Sequence, residues 1–171
     1  MSNHLSLAAT TAAIALATED ALERAFGPSP SARVRCGPPD ADSAFAGCTL
    51  FLYRVQTSAF VNNDSLPTRD ASGALVRIPR VALDADYLFT FFGDEGTLEP
   101  QRLLGAALVG FAAHPVLSPH ESDRIRLVLR SIDEETMGQI WHLFPDVPYR
   151  LSVVYRASVI SIEDAAVLNP G

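Results

Sequence analysis

The sequence predicts an α/β fold, built as a single domain with a mixed, mainly antiparallel sheet and helices packed chiefly on one face. Three observations carry this prediction. Alternating apolar patterns mark several strands, apolar residues at helical spacing mark three helices, and 171 residues suffice for one full core rather than two. We therefore expect one domain over residues 1–171, with 58–82 as a long arm or loop and 164–171 as a C-terminal tail.

The strand from Leu83 to Phe92 is the predicted centre of the sheet. One of its faces is wholly apolar and is expected to form core: Leu83, Ala85, Tyr87, Phe89 and Phe91. The other face begins with Asp84 and Asp86 and turns apolar by Phe92. We expect the strand to enter the sheet from a solvated rim marked by the two aspartates.

Three helices are predicted. The first covers about Leu5 to Phe26 and ends before Gly27-Pro28. The second begins near Leu98, and ends at Ala113 because His114 precedes a proline. Its glycines, Gly105 and Gly110, are predicted points of close approach to the sheet. For the third helix, Ser131 and Glu134 fit a capping box, and four apolar residues form a docking stripe: Met137, Ile140, Trp141 and Phe144.

Four further stretches are predicted strands: 32–36, 48–57, 124–132 and 149–162. In the second of these, alternation places Arg54 and Gln56 on the face of Leu50 and Leu52. In the third, Ile125, Leu127 and Leu129 are predicted to point inward and three arginines outward: Arg124, Arg126 and Arg130. The last strand is so long that it must be bent, bulged or shared with another subunit.

The segment 58–82 is far longer than the usual connection of about 4 to 6 residues. Asp70 and Gly73 are placed as in a hairpin turn, which predicts an arm; the alternative is a floppy surface loop. We predict that charged residues of this arm and of the predicted strand 124–132 bind a partner: Arg69, Asp70, Arg77, Arg80, Arg124, Arg126 and Arg130. For the strand arginines, the competing interpretation is protection of a sheet edge by charge.

Composition narrows the classes of function. All 13 basic residues are arginines, so phosphate-loop, Schiff-base and general-base lysines are excluded. A net charge of −7 argues against nucleic acid as a ligand. The apolar content of 48% and mean hydropathy of +0.16 favour surface reserved for partners. No apolar run is long enough to insert in a membrane, and residues 8–17 fit an ordinary helix better than a signal peptide.

The sequence contains no convincing catalytic or cofactor motif. Its histidines form no pair at metal-ligand spacing, and no nucleophile elbow, phosphate loop or dinucleotide fingerprint occurs. Cys36 and Cys48 are predicted to be free, buried thiols. One alternative remains a small hydrolase-like enzyme that uses Asp84, Asp86 and a histidine. A second alternative is a monomeric adaptor domain.

Five stretches, in order, resemble one known family: TLFLYRV, RDASGALVRIPRVALDADYLFTFFGDE, EPQRLLGAALVGFAAHPVL, RIRLVLRSIDEE and PYRLSVVYRASVISIE. They are similar to the N-terminal domain of the cap, or tail-terminator, proteins of contractile injection systems. These systems are phage-tail-like particles of the antifeeding-prophage and virulence-cassette type. The similarity extends from about Leu5 to Glu163.

The resemblance implies a structural cap protein without enzymatic activity or cofactor. It implies a ring, of six subunits, that sits on the distal end of the inner tube and sheath and stops their growth. The expected partners are other copies of the chain and the tube and sheath proteins, and the expected location is the cytoplasm, within the assembling particle. Some family members carry an additional C-terminal region, whereas this sequence stops at Pro170-Gly171.

Overall fold

The computed structural model describes residues 5–29, 33–41, 45–59, 68–69, 75–77, 80–119 and 124–163. The predicted tail, 164–171, lies outside them. The helices are α1 (Ser6–Phe26), α2 (Glu99–Ala113) and α3 (Glu134–Trp141). The strands are β1 (Val34–Cys36), β2 (Gly47–Thr57), β3 (Thr68–Arg69), β4 (Leu75–Arg77), β5 (Arg80–Phe92), β6 (Val116–Leu117), β7 (Ile125–Arg130) and β8 (Ser152–Glu163).

Six strands form one mixed sheet in the order β1-β2-β5-β8-β7-β6. The β1–β2 pair is parallel, and the other four pairs are antiparallel. The strand β5 lies in the interior between β2 and β8, as its two largely apolar faces predicted. The mainly antiparallel α/β architecture is therefore confirmed.

The two longer helices, α1 and α2, cover one face of the sheet, here called the two-helix face. The alternate residues of β5 that were predicted to be core are buried beneath them, including Tyr87, Phe89 and Phe91. Phe111 of α2 packs edge-on against Phe89 and Tyr155, with ring centroids 5.6 and 5.0 Å away. Each such ring contributes about 1.5–3 kcal/mol through burial.

The helix α1 buries threonines without leaving their hydroxyls unpaired. Thr10 and Thr18 donate to the carbonyl oxygens of Ser6 and Ile14, both at 2.7 Å. Thr11 lies 2.9 Å from the Tyr87 hydroxyl and so joins α1 to the centre of the sheet. The helix ends at Gly27, whose φ of 78° suits glycine, as predicted.

The helix α2 begins and ends as the sequence predicted. Leu98 precedes it in the left-handed conformation, with φ of 57°, and Pro100 occupies its first turn. Before it, one turn of 3₁₀ helix (Glu95–Thr97) is capped by Asp94, whose carboxylate accepts a hydrogen bond from the Gly96 N–H at 2.9 Å. The acidic loop therefore serves as a helix-entry turn.

The shorter helix α3 packs on the opposite side of the sheet, here called the α3 face. Ile140, Trp141 and the following Phe144 cover Leu88 of β5 and Val154 of β8, which confirms the predicted docking stripe. The predicted capping box of Ser131 and Glu134 is wrong. The helix begins two residues later than that box requires, because Asp133 caps it by accepting a hydrogen bond from the Thr136 N–H at 2.7 Å.

The two glycines of α2 do not contact the sheet, contrary to prediction. A Cβ atom on Gly110 would lie 2.5 Å from the Ala21 Cβ of α1, so this glycine sets the distance between the two helices. A Cβ atom on Gly105 would meet no atom within 4 Å, so that position opens onto free space. The predicted close approach is thus a helix–helix contact at one of the two sites.

The long strand β8 is bulged, one of the three alternatives that its length allowed. Ala85 pairs with Ala157 and Leu83 with Ile160, so β8 carries one more residue than β5 over this interval. The extra residue turns Ile160 onto the two-helix face, where it is buried. Simple alternation had placed Val159 there.

Both cysteines are free thiols, but only Cys48 is buried; Cys36 is exposed at the end of β1. Burial raises the pKa of the Cys48 thiol, which keeps it protonated and unreactive. The prediction of two buried thiols is therefore wrong for Cys36, because β1 is a short edge strand with one neighbour. Among the described helices, none combines the length and apolarity needed to cross a bilayer.

The glycine pair gives a test of helix packing. We expect Gly105→Ala to raise the free energy of unfolding by about 0.5–1 kcal/mol, because alanine lowers the backbone entropy lost in a helix. Gly110→Ala gains the same propensity, but its methyl group must push α1 and α2 apart, a cost of about 1–3 kcal/mol. Urea unfolding of both variants checks the sign. Equal stabilisation by the two alanines would contradict the close helix contact.

Candidate partner-binding surface

The α3 face is covered at one end and open at the other. The helix lies over Leu88 and Val154, whereas the next residues along the strands are charged. Asp86 of β5 lies between Arg54 of β2 and Arg156 of β8, in one row across three strands. This row separates the apolar contacts of α3 from the uncovered part of the sheet.

The carboxylate of Asp86 is held by two guanidinium groups. Arg156 donates from Nε to Oδ1 at 2.7 Å and from a terminal nitrogen to Oδ2 at 3.0 Å, while Arg54 donates from Nε to Oδ2 at 2.8 Å. The Asp86 side chain is 1% exposed, that of Arg156 15% and that of Arg54 51%. The pair of arginines thus seals a buried charge and leaves one guanidinium half in solvent.

A β-bulge places Arg54 opposite Asp86. Leu52 pairs with Tyr87 and Arg54 with Asp86, so Tyr53 is an extra residue in β2. Because of this residue, Arg54 shares the α3 face with Phe51 and Tyr53, whereas Leu50 and Leu52 stay on the two-helix face. The predicted alternation, with Arg54 beside Leu50 and Leu52, is wrong from this point onward.

The predicted solvated rim at Asp84 and Asp86 is also wrong. Both residues are buried, at 3% and 1% exposure, because β2 and β8 continue alongside β5 beyond them. Burial by itself raises the pKa of Asp86, but the hydrogen bonds from Arg156 and Arg54 outweigh it, and the pKa lies below its usual range. Asp86 is therefore an anion at neutral pH, and its oxygens are occupied by arginine.

This arrangement suits a structural ion cluster better than acid–base chemistry. A general acid or base near neutral pH needs a raised carboxyl pKa, the opposite of what Asp86 has. His142 is bonded through Nδ1 to the Gly138 carbonyl at 2.7 Å, and His114 is exposed after α2. Within the described ranges, no group of three histidine, cysteine or acidic residues is placed to hold a metal ion.

Two arginines of β7 lie on either side of the line of this charged row. Arg126 lies opposite Ser158 of β8 and Arg130 opposite Val154, and both are exposed. Val128, between them, lies opposite Arg156 and is 40% exposed. We call the surface formed by these five residues the arginine face: Arg54, Arg126, Val128, Arg130 and Arg156. Its described charges are mostly positive, although the whole chain has a net charge of −7.

Arg124 and Leu129 lie towards opposite ends of the predicted strand 124–132, in different surroundings. Arg124, just before the strand, donates to the Ser118 hydroxyl at 2.6 Å and so ties the strand to the residues after β6. Leu129 was predicted to point into the core but is 50% exposed. The edge strand β6 pairs only with Ile125 and Arg126, so Leu129 lies beyond its reach.

The arm residues are described in part. Thr68 pairs with Arg77 and Arg69 with Leu75, so β3 and β4 form an antiparallel ladder on either side of the predicted turn. Asp70 and the turn itself lie outside the described residues, as do the side chains of Arg69, Arg77 and Arg80. Partner binding by these four residues remains a prediction.

Sequence reasoning missed Arg54 and Arg156, although a signal was present. Each lies directly after a tyrosine in the middle of a largely apolar strand: Tyr53-Arg54 and Tyr155-Arg156. A charge in such a position needs a partner, and Asp86 occupies the corresponding place in the strand between them.

The Asp86 cluster predicts a pH-dependent contribution to stability. We expect Asp86→Asn to lower the free energy of unfolding at pH 7 by about 3 kcal/mol, the low end for broken buried ion pairs because Arg54 can rehydrate. The folded pKa is lower than the unfolded one, so the stabilisation is complete above about pH 5 and declines as pH falls through about 3.9. The difference between the two proteins should therefore shrink on acidification.

Urea unfolding at pH 7 and pH 3.5 measures this difference. The matched control is Asp146→Asn, which neutralises an exposed carboxylate and should change stability by less than about 0.5 kcal/mol. A similar loss of unfolding free energy in both variants, or a loss that does not depend on pH, would show that the charge of Asp86 does not stabilise the fold.

Comparison with solved structures identifies this fold in two related particles. The first match is the sheath/tube terminator of an extracellular contractile injection system, PVC, in its extended state: TM-score 0.62, 16% identity, 87% of this chain and 54% of that one. The second is the tube-terminating cap of the anti-feeding prophage: TM-score 0.62, 18% identity, 88% of this chain and 54% of that one. The chain thus spans about half the length of each.

Among curated sequences, none matches the chain. The family described as the Pvc16 N-terminal domain matches it over residues 10–171. That match includes the whole six-stranded sheet and all three helices, with only the first residues of α1 outside it. The chain therefore belongs to the Pvc16 N-terminal domain family.

Proposed function

We propose that this domain is a structural part of the terminator of a contractile injection system, where it ends the inner tube and the sheath. The observation that carries the proposal is family membership over residues 10–171, together with the shared fold of a sheath/tube terminator and a tube-terminating cap. The place of action is a phage-tail-like particle, which assembles in the cytoplasm.

A structural role is supported by the state of the polar residues that an enzyme would use. Asp86 is neutralised by two arginines, and its lowered pKa removes it as a proton donor or acceptor near pH 7. The hydrolase alternative needed Asp84 and Asp86 as accessible paired carboxylates, whereas both are buried. No observation favours that alternative.

A closed ring of six copies is the assembly that we propose. A ring subunit needs two different faces for its neighbours and a further one for tube or sheath. Large apolar side chains are exposed on both sides of the sheet, among them Leu16 (67%) and Val109 (71%) on the helices and Leu143 (60%) and Tyr149 (62%) after α3. Burial of such residues between subunits accounts for the high apolar content of the chain.

The arginine face is proposed to bind acidic groups of the tube or sheath protein. Arg126 and Arg130 are exposed on a β-sheet and have no ion-pair partner among the described residues. Guanidinium groups bind carboxylates with two parallel hydrogen bonds, which fixes orientation as well as position. The half-exposed Arg54 continues this surface towards the centre of the sheet.

Charge reversal separates partner binding from edge protection. We expect Arg126→Glu with Arg130→Glu to lower cap occupancy in particles and to give tails of irregular length, since acidic groups would then repel. Edge protection would survive, because any charge at an edge blocks strand pairing. Electron microscopy of particles from cells that carry the variant measures both quantities.

The matched control replaces the same two residues by lysine, which keeps the charge but loses the two-pronged hydrogen bonding. It should retain more of the cap than the glutamate variant. Thermal unfolding of the isolated chains shows whether each variant folds. Normal tail length and full caps with folded glutamate variants would exclude the arginine face as the site of attachment.

The arm is proposed to reach a neighbouring subunit or the sheath. The Ser58 N–H donates to the Ala82 carbonyl at 2.8 Å, so the two ends of the segment are already adjacent. We expect a chain in which residues 66–78 are replaced by a short Gly-Ser linker to fold with unchanged or slightly higher stability, because a shorter loop costs less entropy to close. Cap occupancy should fall.

The measurement pairs urea unfolding of this variant with counts of capped tails. A folded variant that caps tails as well as the natural chain would assign the segment to the alternative, an ordinary surface loop. A variant that fails to fold would show instead that the arm belongs to the core of the domain, which also contradicts the proposal.

A further inference from the structure

The two helices α1 and α2 enclose an open apolar groove on the outer side of their layer, with a volume of about 510 Å³. Its floor and walls are small residues: Ala21, Ala25, Ala106, Val109 and Ala113, with Gly105 and Gly110. The groove exists because these positions carry little or no side chain. At Gly105, a Cβ atom would meet nothing within 4 Å.

The groove is positively charged at one end. Arg24 of α1 and Arg102 of α2 are its two charged lining residues. The Arg102 guanidinium lies 5.2 Å from the centre of the Phe26 ring, a cation–π contact that holds it beside the end of α1. A matching occupant therefore presents apolar side chains with an acidic group at one end.

A loop of the same chain has this chemistry. Residues 143–149, after α3, expose Leu143 and Tyr149 and carry one carboxylate, Asp146. Two prolines, Pro145 and Pro148, restrict the backbone of the loop. Below it, Phe144 and Trp141 are buried against the α3 face.

The aromatic residues support this loop from beneath. Trp141 packs against Tyr149 and Phe144, with ring centroids 5.3 and 5.7 Å away. Because Tyr149 is already packed on Trp141, its side chain loses less conformational entropy on binding, and tyrosine is enriched among the residues that dominate interface energies. The loop is thus a preformed apolar projection.

We infer that the loop 143–149 of one copy binds in the α1–α2 groove of the next copy. The inference rests on the proposed ring and names its contact. The loop lies on the α3 side of the sheet and the groove on the other side, so no copy can fill its own groove. Repetition of one head-to-tail contact of this kind closes a ring when the rotation between successive copies is a whole fraction of a turn.

Charge favours this contact over a symmetric one. Two grooves placed face to face would leave a void, and neither groove lining holds a carboxylate for the Arg24–Arg102 pair of the other. A loop in the groove instead brings Asp146 near Arg24 and Arg102. Apolar contacts supply the burial, and the carboxylate fixes the direction of insertion.

Cysteine cross-linking tests the contact directly. In a Cys36→Ser chain, Val109→Cys and Leu143→Cys place one thiol beside the groove and one on the loop. Oxidation of assembled particles should give a ladder of covalent multimers up to the ring size, and neither single variant should give it. The buried Cys48 stays in place in all chains.

Two substitutions, each with its own control, test the energetics of the contact. Gly105→Leu adds a side chain in the groove, at a position where a Cβ atom would meet nothing within 4 Å, and should lower cap occupancy at least tenfold. The matched control is Gly138→Leu, at an equally open helical glycine outside the groove, which should not lower it. Arg24→Glu should weaken assembly, and the pair Arg24→Glu with Asp146→Arg should restore it. Thermal unfolding confirms that each chain folds.

The possible outcomes distinguish failure of the loop–groove contact from failure of the proposed ring. Capped particles that give no ladder, or that tolerate Gly105→Leu, would overturn the inference and leave the ring in place. Dimers from the single Val109→Cys chain would indicate the symmetric contact instead. A chain that neither oligomerises nor caps tails would remove the proposed function and the inference with it.

Discussion

The buried carboxylate of Asp86 sets the alignment of the three central strands. A charge with 1% of its side chain exposed needs partners, and its two partners come from the strands on either side. A slip of one residue in β2 or β8 would move an arginine to the two-helix face and leave Asp86 without one of them. The ion cluster therefore fixes the register of the strands. Its net contribution to the free energy of folding is modest, but a misaligned strand would leave a buried charge without a partner.

Periodicity in the sequence predicted the helices, the positions of the longer strands along the chain and the core face of β5, because these depend on local patterns. Periodicity failed where the pairing with a neighbouring strand determines the face on which a residue lies. The extra residues at Tyr53 in β2 and after Ala157 in β8 are invisible without the neighbouring strand, and each reverses the faces of everything beyond it. The burial of Asp84 and the exposure of Leu129 likewise depend on how far the adjacent strands extend.

The same sheet presents two unlike surfaces because its helices differ in length. On one side, α1 and α2 together cover the central strands, and their small outer residues leave a groove. On the other side, α3 is short and covers one end, so the arginine face stays uncovered beside an apolar loop. A head-to-tail contact between copies joins two different patches, and the two sides of this sheet provide such unlike patches.

Arginine suits the uncovered surface for a physical reason beyond charge. The chain has a net charge of −7, so acidic partners are repelled at a distance, and at physiological salt exposed charges act over only about 8 Å. In the proposed attachment, the arginine face would therefore contribute little to long-range attraction and would act after contact is made. At contact, the planar guanidinium group discriminates by geometry, whereas an ammonium group acts as a point charge. A surface of this kind selects one orientation of a partner that other forces have already brought close. In the proposed cap, apolar burial between neighbouring subunits would be a force of that kind, so ring closure and attachment to the tube or sheath would reinforce each other.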